Sequence, residues 1–240
     1  MTASQLKILP KTLPKGLPRG TPPKAPLRRA RAPEHKSQRR AAIVRAAEGL
    51  LARAETSDSC SVELLARKAG LAKGTVYLYF RSREEVLLAV HEKQTHEVFD
   101  VVERALGVPG ASADSVVRTG VRYLHAHPQF YPLAANCRSM LDTGVSTEAA
   151  LAFKVGLGKR LYVLGQRIEA IYPGLRPGEG AALLMNSYAM IIGLWQQADA
   201  PQSLRAVMDR PEMAIFKIDF EKQLTAALLD LWEAAARRKR

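Results

Sequence analysis

Apolar positions in this chain recur at intervals of three and four, the period of a helix with one buried face, and no stretch alternates as a half-buried strand does. Ile43, Ala46, Ala47, Leu50, Leu51 and Ala54 make one such face, and Ser37 is the residue suited to cap it. A polar turn at 56–59 follows, and Ser61 caps a second helix whose face is Val62, Leu65, Ala66 and Ala69. Gly70 interrupts that helix, and Leu71 and Val76 resume an apolar face on a third, over about 72–78. Ser82-Arg83-Glu84-Glu85 sets Ser and Glu three apart, a capping box opening a fourth helix that reaches about Ala105. Beyond Pro109-Gly110 the pattern predicts helices near 112–127, 128–142, 147–171, 178–199 and 213–236, divided by Pro and Gly breaks. The fold class is all-α: an N-terminal three-helix unit, then a larger helical domain.

The second and third helices form a helix-turn-helix. The third carries Lys73, Gly74, Thr75, Tyr77 and Tyr79, which combine small size at its start with hydrogen-bonding groups. Such a helix can enter a major groove and bring its first side chains to base edges. Between 61 and 83, Arg67, Lys68, Lys73, Arg81 and Arg83 oppose Glu63 alone, so double-stranded DNA with its phosphates is the partner. The Ser61 hydroxyl and the free N–H groups behind it offer a further phosphate position.

The string Gly70-Leu71-Ala72-Lys73-Gly74-Thr75-Val76-Tyr77-Leu78-Tyr79-Phe80, followed by Ser82-Arg83-Glu84-Glu85-Val86-Leu87, resembles the helix-turn-helix of the TetR/AcrR family of transcriptional regulators. Two positions depart from the family pattern. Ala72 stands where a Ser commonly caps the recognition helix, a loss of about 1 kcal/mol of capping, and Arg83 replaces the common Lys. The resemblance implies that Lys73, Gly74 and Thr75 lie at base edges or adjacent phosphate, that Tyr77 and Tyr79 touch phosphate or base, and that Arg83 meets the DNA backbone. Val76 and Phe80 read as core, Leu78 is open, and Tyr79 is alternatively packed with only its hydroxyl exposed. It further implies a linker helix from Ser82, a C-terminal ligand-binding domain, and a homodimer formed by the last two helices. Those helices carry Leu183, Leu184, Ser187, Ile191 and Leu194, and Leu224, Leu228, Leu231 and Trp232, more apolar surface than one side of a small bundle requires. Function follows as that of a homodimeric repressor of a palindromic operator, released by a small-molecule effector. The competing reading is an architectural protein that coats DNA through its basic tails.

Charge changes the picture at the ends. The formal net charge is +13 over 240 residues, but residues 1–40 hold eleven Lys and Arg against Glu34, and residues 237–240 are all basic. Three Leu-Pro-basic units start at Leu9, Leu13 and Leu17, and seven of the fourteen prolines lie before residue 41. An extended, disordered basic tail over 1–36 is expected. It is read either as a phosphate-contacting arm, with Arg28, Arg29 and Arg31 suited to a minor groove, or as a solubilising extension. The domains are then 1–36 tail, 37–105 DNA-binding domain with linker helix, 106–236 ligand-binding and dimerisation domain, and 237–240 basic tail.

Between 106 and 236 twelve basic residues balance twelve acidic ones. The ligand candidates are Tyr123, Phe130, Tyr131, Met140, Phe153, Tyr188 and Trp195, whose lack of charge favours an apolar or aromatic effector. Arg122 and Arg138 read as exposed. His125 and His127 point to different faces of one helix and do not share a metal. Cys60 and Cys137 read as unpaired thiols. No catalytic constellation, metal set or cofactor motif is expected, and neither is a membrane span or a signal peptide; the setting that fits is cytoplasmic.

Overall fold

The computed structural model describes residues 27–52 and 60–238, and all regular structure among them is helical. The helices are α1 (Leu27–Leu51), α2 (Val62–Ala69), α3 (Lys73–Tyr77), α4 (Arg83–Leu106), α5 (Ala113–Ala126), α6 (Phe130–Thr143), α7 (Thr147–Ile171), α8 (Glu179–Ala198) and α9 (Phe220–Ala236). Two 3₁₀ turns, Arg205–Val207 and Pro211–Phe216, lie between α8 and α9. No helix among the described residues is long and apolar enough to cross a membrane. The chain divides into two units, residues 1–37 and 38–240.

In the first unit a helical backbone begins at Leu27, inside the segment expected to be disordered, and Ser37 lies within α1 instead of capping it. The composition explains the early start. The proline repeat ends before Leu27, and the residues that follow are rich in Arg and Ala, strong helix formers broken by Pro33 alone. Arg28, Arg29 and Arg31 therefore stand on helical backbone, not on an extended arm. Residues 1–26 with the repeat, the 56–59 turn and Ala54 lie outside the described residues.

The second unit has two hydrophobic clusters, and α4 passes through both. The first gathers Ile43, Ala47 and Leu51 of α1, Val62 and Leu65 of α2, Val76 and Phe80 around α3, and Val86–Val90 of α4, together with Leu133, Cys137 and Met140 of α6 and Phe153 of α7. The second gathers Phe99, Val102 and Leu106 of α4 with α5, the start of α6, and α7, α8 and α9. Close approach of α7 and α8 depends on glycine at both crossing points. A Cβ at Gly165 would sit 2.6 Å from the Ala181 nitrogen, and one at Gly180 would sit 2.1 Å from the Gly165 oxygen.

Three expectations need correction. The helix expected from 213 starts only at Phe220, because Pro211 opens a 3₁₀ turn and Asp219 caps α9 through the Lys222 N–H at 3.1 Å. Ser82 does cap α4 through the Glu85 N–H at 3.0 Å, but the Glu85 carboxylate reaches the Arg81 N–H at 2.7 Å and not that of Ser82, so the box is half formed. A reciprocal box occurs instead at Ser112 and Ser115. Finally, the stripe assigned to dimerisation is intramolecular: Leu183, Leu184, Ser187, Ile191, Leu224, Leu228 and Trp232 are buried where α5, α8 and α9 pack, and Leu194 and Leu231 pack against the same cluster. An apolar stripe requires a cover without saying which chain supplies it. What α8 leaves exposed is Ala182, Met185, Asn186, Ala189, Gln196 and Gln197, and residues 180–198 contain no charged side chain.

Candidate nucleic-acid interface and cavity

Local chemistry fixes the turn of the helix-turn-helix. Ser61 accepts the Leu64 N–H at 3.3 Å to start α2, and Glu63 suits its first turn. At the other end Gly70 takes φ +67°, the left-handed conformation that glycine adopts without cost, and its N–H and that of Leu71 close onto the Ala66 carbonyl. Ala72 then has the extended backbone of an N-cap but no side chain to cap with, and α3 runs for five residues.

That short helix divides its residues cleanly. Val76 and Phe80 are buried, as expected of core. Lys73, Gly74, Tyr77 and Leu78 are exposed, Leu78 at 76%, while Thr75 and Tyr79 are half-buried. A Cβ built on Gly74 meets nothing within 4 Å among the described residues, so no contact among them requires glycine there. Lys73 pairs with Glu63 across the turn, which raises the Lys73 pKa and lowers that of Glu63, chiefly through the hydrogen bond between them. Arg67, Lys68 and Arg81 are exposed around it. The Arg83 Nε donates to the Cys60 carbonyl at 3.0 Å and its guanidinium is 3.5 Å from Glu84, so it braces the start of α2 against α4. Ser61 and Arg83 thus meet at one corner, with Lys73 reaching the first turn of α2 nearby. Burial pushes the Cys60 thiol up against the pull of Arg83, and Cys137 is likewise raised by burial.

A cavity of about 70 Å³ lies in the second cluster. Its walls are Thr95, Val98, Phe99 and Val102 of α4, Val116, Val117, Gly120, Val121 and Leu124 of α5, Phe130 of α6, Leu184, Ser187, Tyr188 and Ile191 of α8, and Leu228 and Trp232 of α9. The polar atoms on these walls are already engaged. Thr95 donates to the His91 carbonyl at 2.8 Å, Ser187 donates to the Leu183 carbonyl at 2.8 Å and accepts the Trp232 Nε1–H at 3.0 Å, and the Tyr188 hydroxyl is 2.8 Å from His91 Nε2. The hydroxyl protons there are already spent, so the walls favour an apolar guest over one that needs a hydrogen-bond donor.

Of the seven aromatic and Met candidates, Phe130 and Tyr188 line this cavity. Tyr123 lies instead in an open cleft, donating to Glu97 at 3.0 Å with His127 stacked 4.1 Å away. Tyr131 is spent on Phe220 and Trp195, and Met140 and Phe153 belong to the first cluster. The missed walls are mostly Val and Leu of α4 and α5. Their signal was the apolar face of α5 around Gly120, which periodicity reads as core.

Residues 43–90 match the family model described as bacterial regulatory proteins, tetR family, and residues 92–237 match that described as tetracyclin repressor-like, C-terminal domain. Among solved structures, the fatty acid degradation regulator FadR from Bacillus halodurans is similar with a TM-score of 0.51 at 19% identity, over 84% of this chain and 97% of that one. A putative TetR-family transcriptional regulator from Mesorhizobium loti MAFF303099 gives 0.48 at 19% identity, over 83% and 96%. At such identity the FadR likeness is one of fold. No curated protein matches the sequence.

Proposed function

The chain belongs to the TetR family of bacterial regulatory proteins, DNA-binding transcriptional regulators and not enzymes, and we propose that it acts as a homodimeric repressor of a palindromic operator, released by an apolar effector. The observation that carries the DNA part is the division of α3: Val76 and Phe80 hold it from behind while Lys73, Gly74, Tyr77 and Leu78 face outward. Gly74, which no contact among the described residues requires, fits a helix start that approaches a base-pair edge closely. Thr75, Tyr79 and Ser61 flank that approach, and Arg83, half-buried beside Cys60, meets the DNA backbone there.

For dimerisation, the uncharged exposed face of α8 around Met185 and Ala189 supports a second copy as cover. Two recognition helices about 34–36 Å apart would read two half-sites, which one short helix alone reads poorly. For release, α4 starts beside α3 and lines the cavity at Thr95–Val102. About 70 Å³ is well below the 300–1,000 Å³ of drug-sized sites. An effector entering between α4, α5, α8 and α9 therefore separates them, favouring a conformation other than the DNA-bound one. Residues 37–105 would bind DNA and 106–236 would bind effector and partner.

The test uses a duplex recovered by selection from a random pool. Tyr77→Ala and Lys73→Ala are each expected to weaken its binding by about tenfold, with Lys73→Ala lowering the salt slope by about 1. Sedimentation and urea unfolding should be unchanged in both. Unaltered affinity in both variants would remove α3 from the interface.

A further inference from the structure

The segment that leaves the recognition helix is tied to a distant turn. Arg81, Ser82 and Glu85 connect α3 to α4, and Gly144 and Ser146 connect α6 to α7. The Glu85 carboxylate, on a residue only 8% exposed, accepts at one oxygen from the Arg81 N–H at 2.7 Å. At its other oxygen it accepts from the Ser146 hydroxyl at 2.6 Å and the Ser146 N–H at 3.2 Å. Ser146 also caps α7 through the Ala149 N–H, and the Ser82 hydroxyl donates to the Gly144 carbonyl. Gly144 lies so close that a Cβ there would be 2.3 Å from Glu84 Cγ and 2.6 Å from Glu84 Cβ. An exposed ion pair between Arg81 and Glu148 adds little beside these.

We propose that Glu85 is a positioning residue: it latches the α3–α4 junction to the α6–α7 turn, so that the C-terminal helices set where the recognition helix sits. Three features carry this. The contacts bridge about sixty residues of sequence and meet on one carboxylate. Each partner has a second duty at a helix start, Ser82 for α4 and Ser146 for α7, so the two helix origins move together. The charge is also needed. Burial opposes it, but the hydrogen bonds from Ser146 and the Arg81 N–H outweigh burial and hold the carboxyl below the usual range. A neutral amide at this position would turn its N–H₂ donor toward either the Arg81 N–H or the Ser146 N–H, each of which is a donor. The latch rests on the DNA-binding reading only for its consequence, not for its existence.

Two readouts separate those levels: amide hydrogen exchange of the full chain, and binding to the duplex recovered from a random pool. The variants are Glu85→Gln, Ser146→Ala and Gly144→Ala. Gly144 has φ −123°, so alanine strains no backbone there and acts only by pushing on Glu84. Each variant is expected to speed exchange in both 79–86 and 144–150 by tenfold or more, leaving 113–126 and 220–236 unchanged. Glu85→Gln and Ser146→Ala combined should do no more than the stronger single change. Duplex affinity should fall fivefold or more in Gly144→Ala and Ser146→Ala, whose side chains touch no recognition-helix residue. Exchange that rises at only one of the two segments, or effects of Glu85→Gln and Ser146→Ala that add, would overturn the latch. Coupled exchange with unchanged duplex affinity would overturn its positioning role. If the pool yields no preferred duplex, the regulator reading fails while the exchange result still decides the latch. Where one variant does not fold, the other two carry the comparison.

Discussion

At Gly74 the protein leaves room for a methyl group that it does not use. Alanine there meets nothing within 4 Å and improves on glycine's helix propensity by up to about 1 kcal/mol. Gly74→Ala is therefore expected to raise the urea midpoint slightly while weakening duplex binding severalfold. A variant that gained stability and kept its affinity would place the DNA elsewhere. His91 is the other informative residue. Burial, helped by the charge of Lys154, lowers its pKa from 6.5 to about 4, so the folded protein holds it neutral. Between those values the unfolded chain binds the proton and the folded chain does not. The stability linked to His91 is thus complete above about pH 6.5 and is lost as pH falls toward 4, by about 3 kcal/mol. His91→Asn, which does not titrate, should show a flatter loss of stability over that range, and parallel curves would contradict it. Residue identities were legible in part. Val76 and Phe80 could be read as core because the motif fixes their side of α3. The hydrogen bond from Arg83 could not be read, because its acceptor, the Cys60 carbonyl, is a backbone atom that sequence does not place. Tyr131, Met140 and Phe153 stand out by their chemistry, but their rings and sulfur fill other contacts, and half of the cavity walls are Val and Leu.

Helix starts and stops were the most legible feature, since caps and breakers act locally. Ser61 and Ser82 cap the helices that follow them, as read from the sequence, and Gly70 ends α2. The errors have local causes too. α1 begins early because one proline among strong helix formers does not end a helix, and α9 begins late because Asp219 offers a better start than Met213. α3 is the weak element, five residues behind a residue that cannot cap. Its backbone at Ala72, φ −72° and ψ 148°, is the geometry a serine cap uses. Ala72→Ser should add about 1 kcal/mol to unfolding free energy in urea. It should also slow amide exchange of residues 73–78, and an unchanged rate there would mean that the helix is held by Val76 and Phe80 alone.

Over the whole molecule, α4, α6 and α7 contribute to both clusters, and α4 runs from the recognition motif into the cavity wall. On the proposed reading, a guest in the cavity and DNA on α3 compete through α4. The apolar stripe on α8 and α9 shows why assembly was not legible: periodicity gave a buried face correctly, and only the folded chain shows that α7 packs on α8 and α5 on α9, leaving exposed the uncharged back of α8, the face proposed for a second copy. The most direct measurement is selection of bound sequences from a random duplex pool at near-physiological salt, with the full chain and with a form lacking residues 1–26. Both should enrich the same two-fold palindrome, with half-sites one helical turn or a multiple apart. Strong binding by the full chain with no enriched motif, lost when residues 1–26 are removed, would contradict a dimeric regulator and assign the DNA contact to the basic tail.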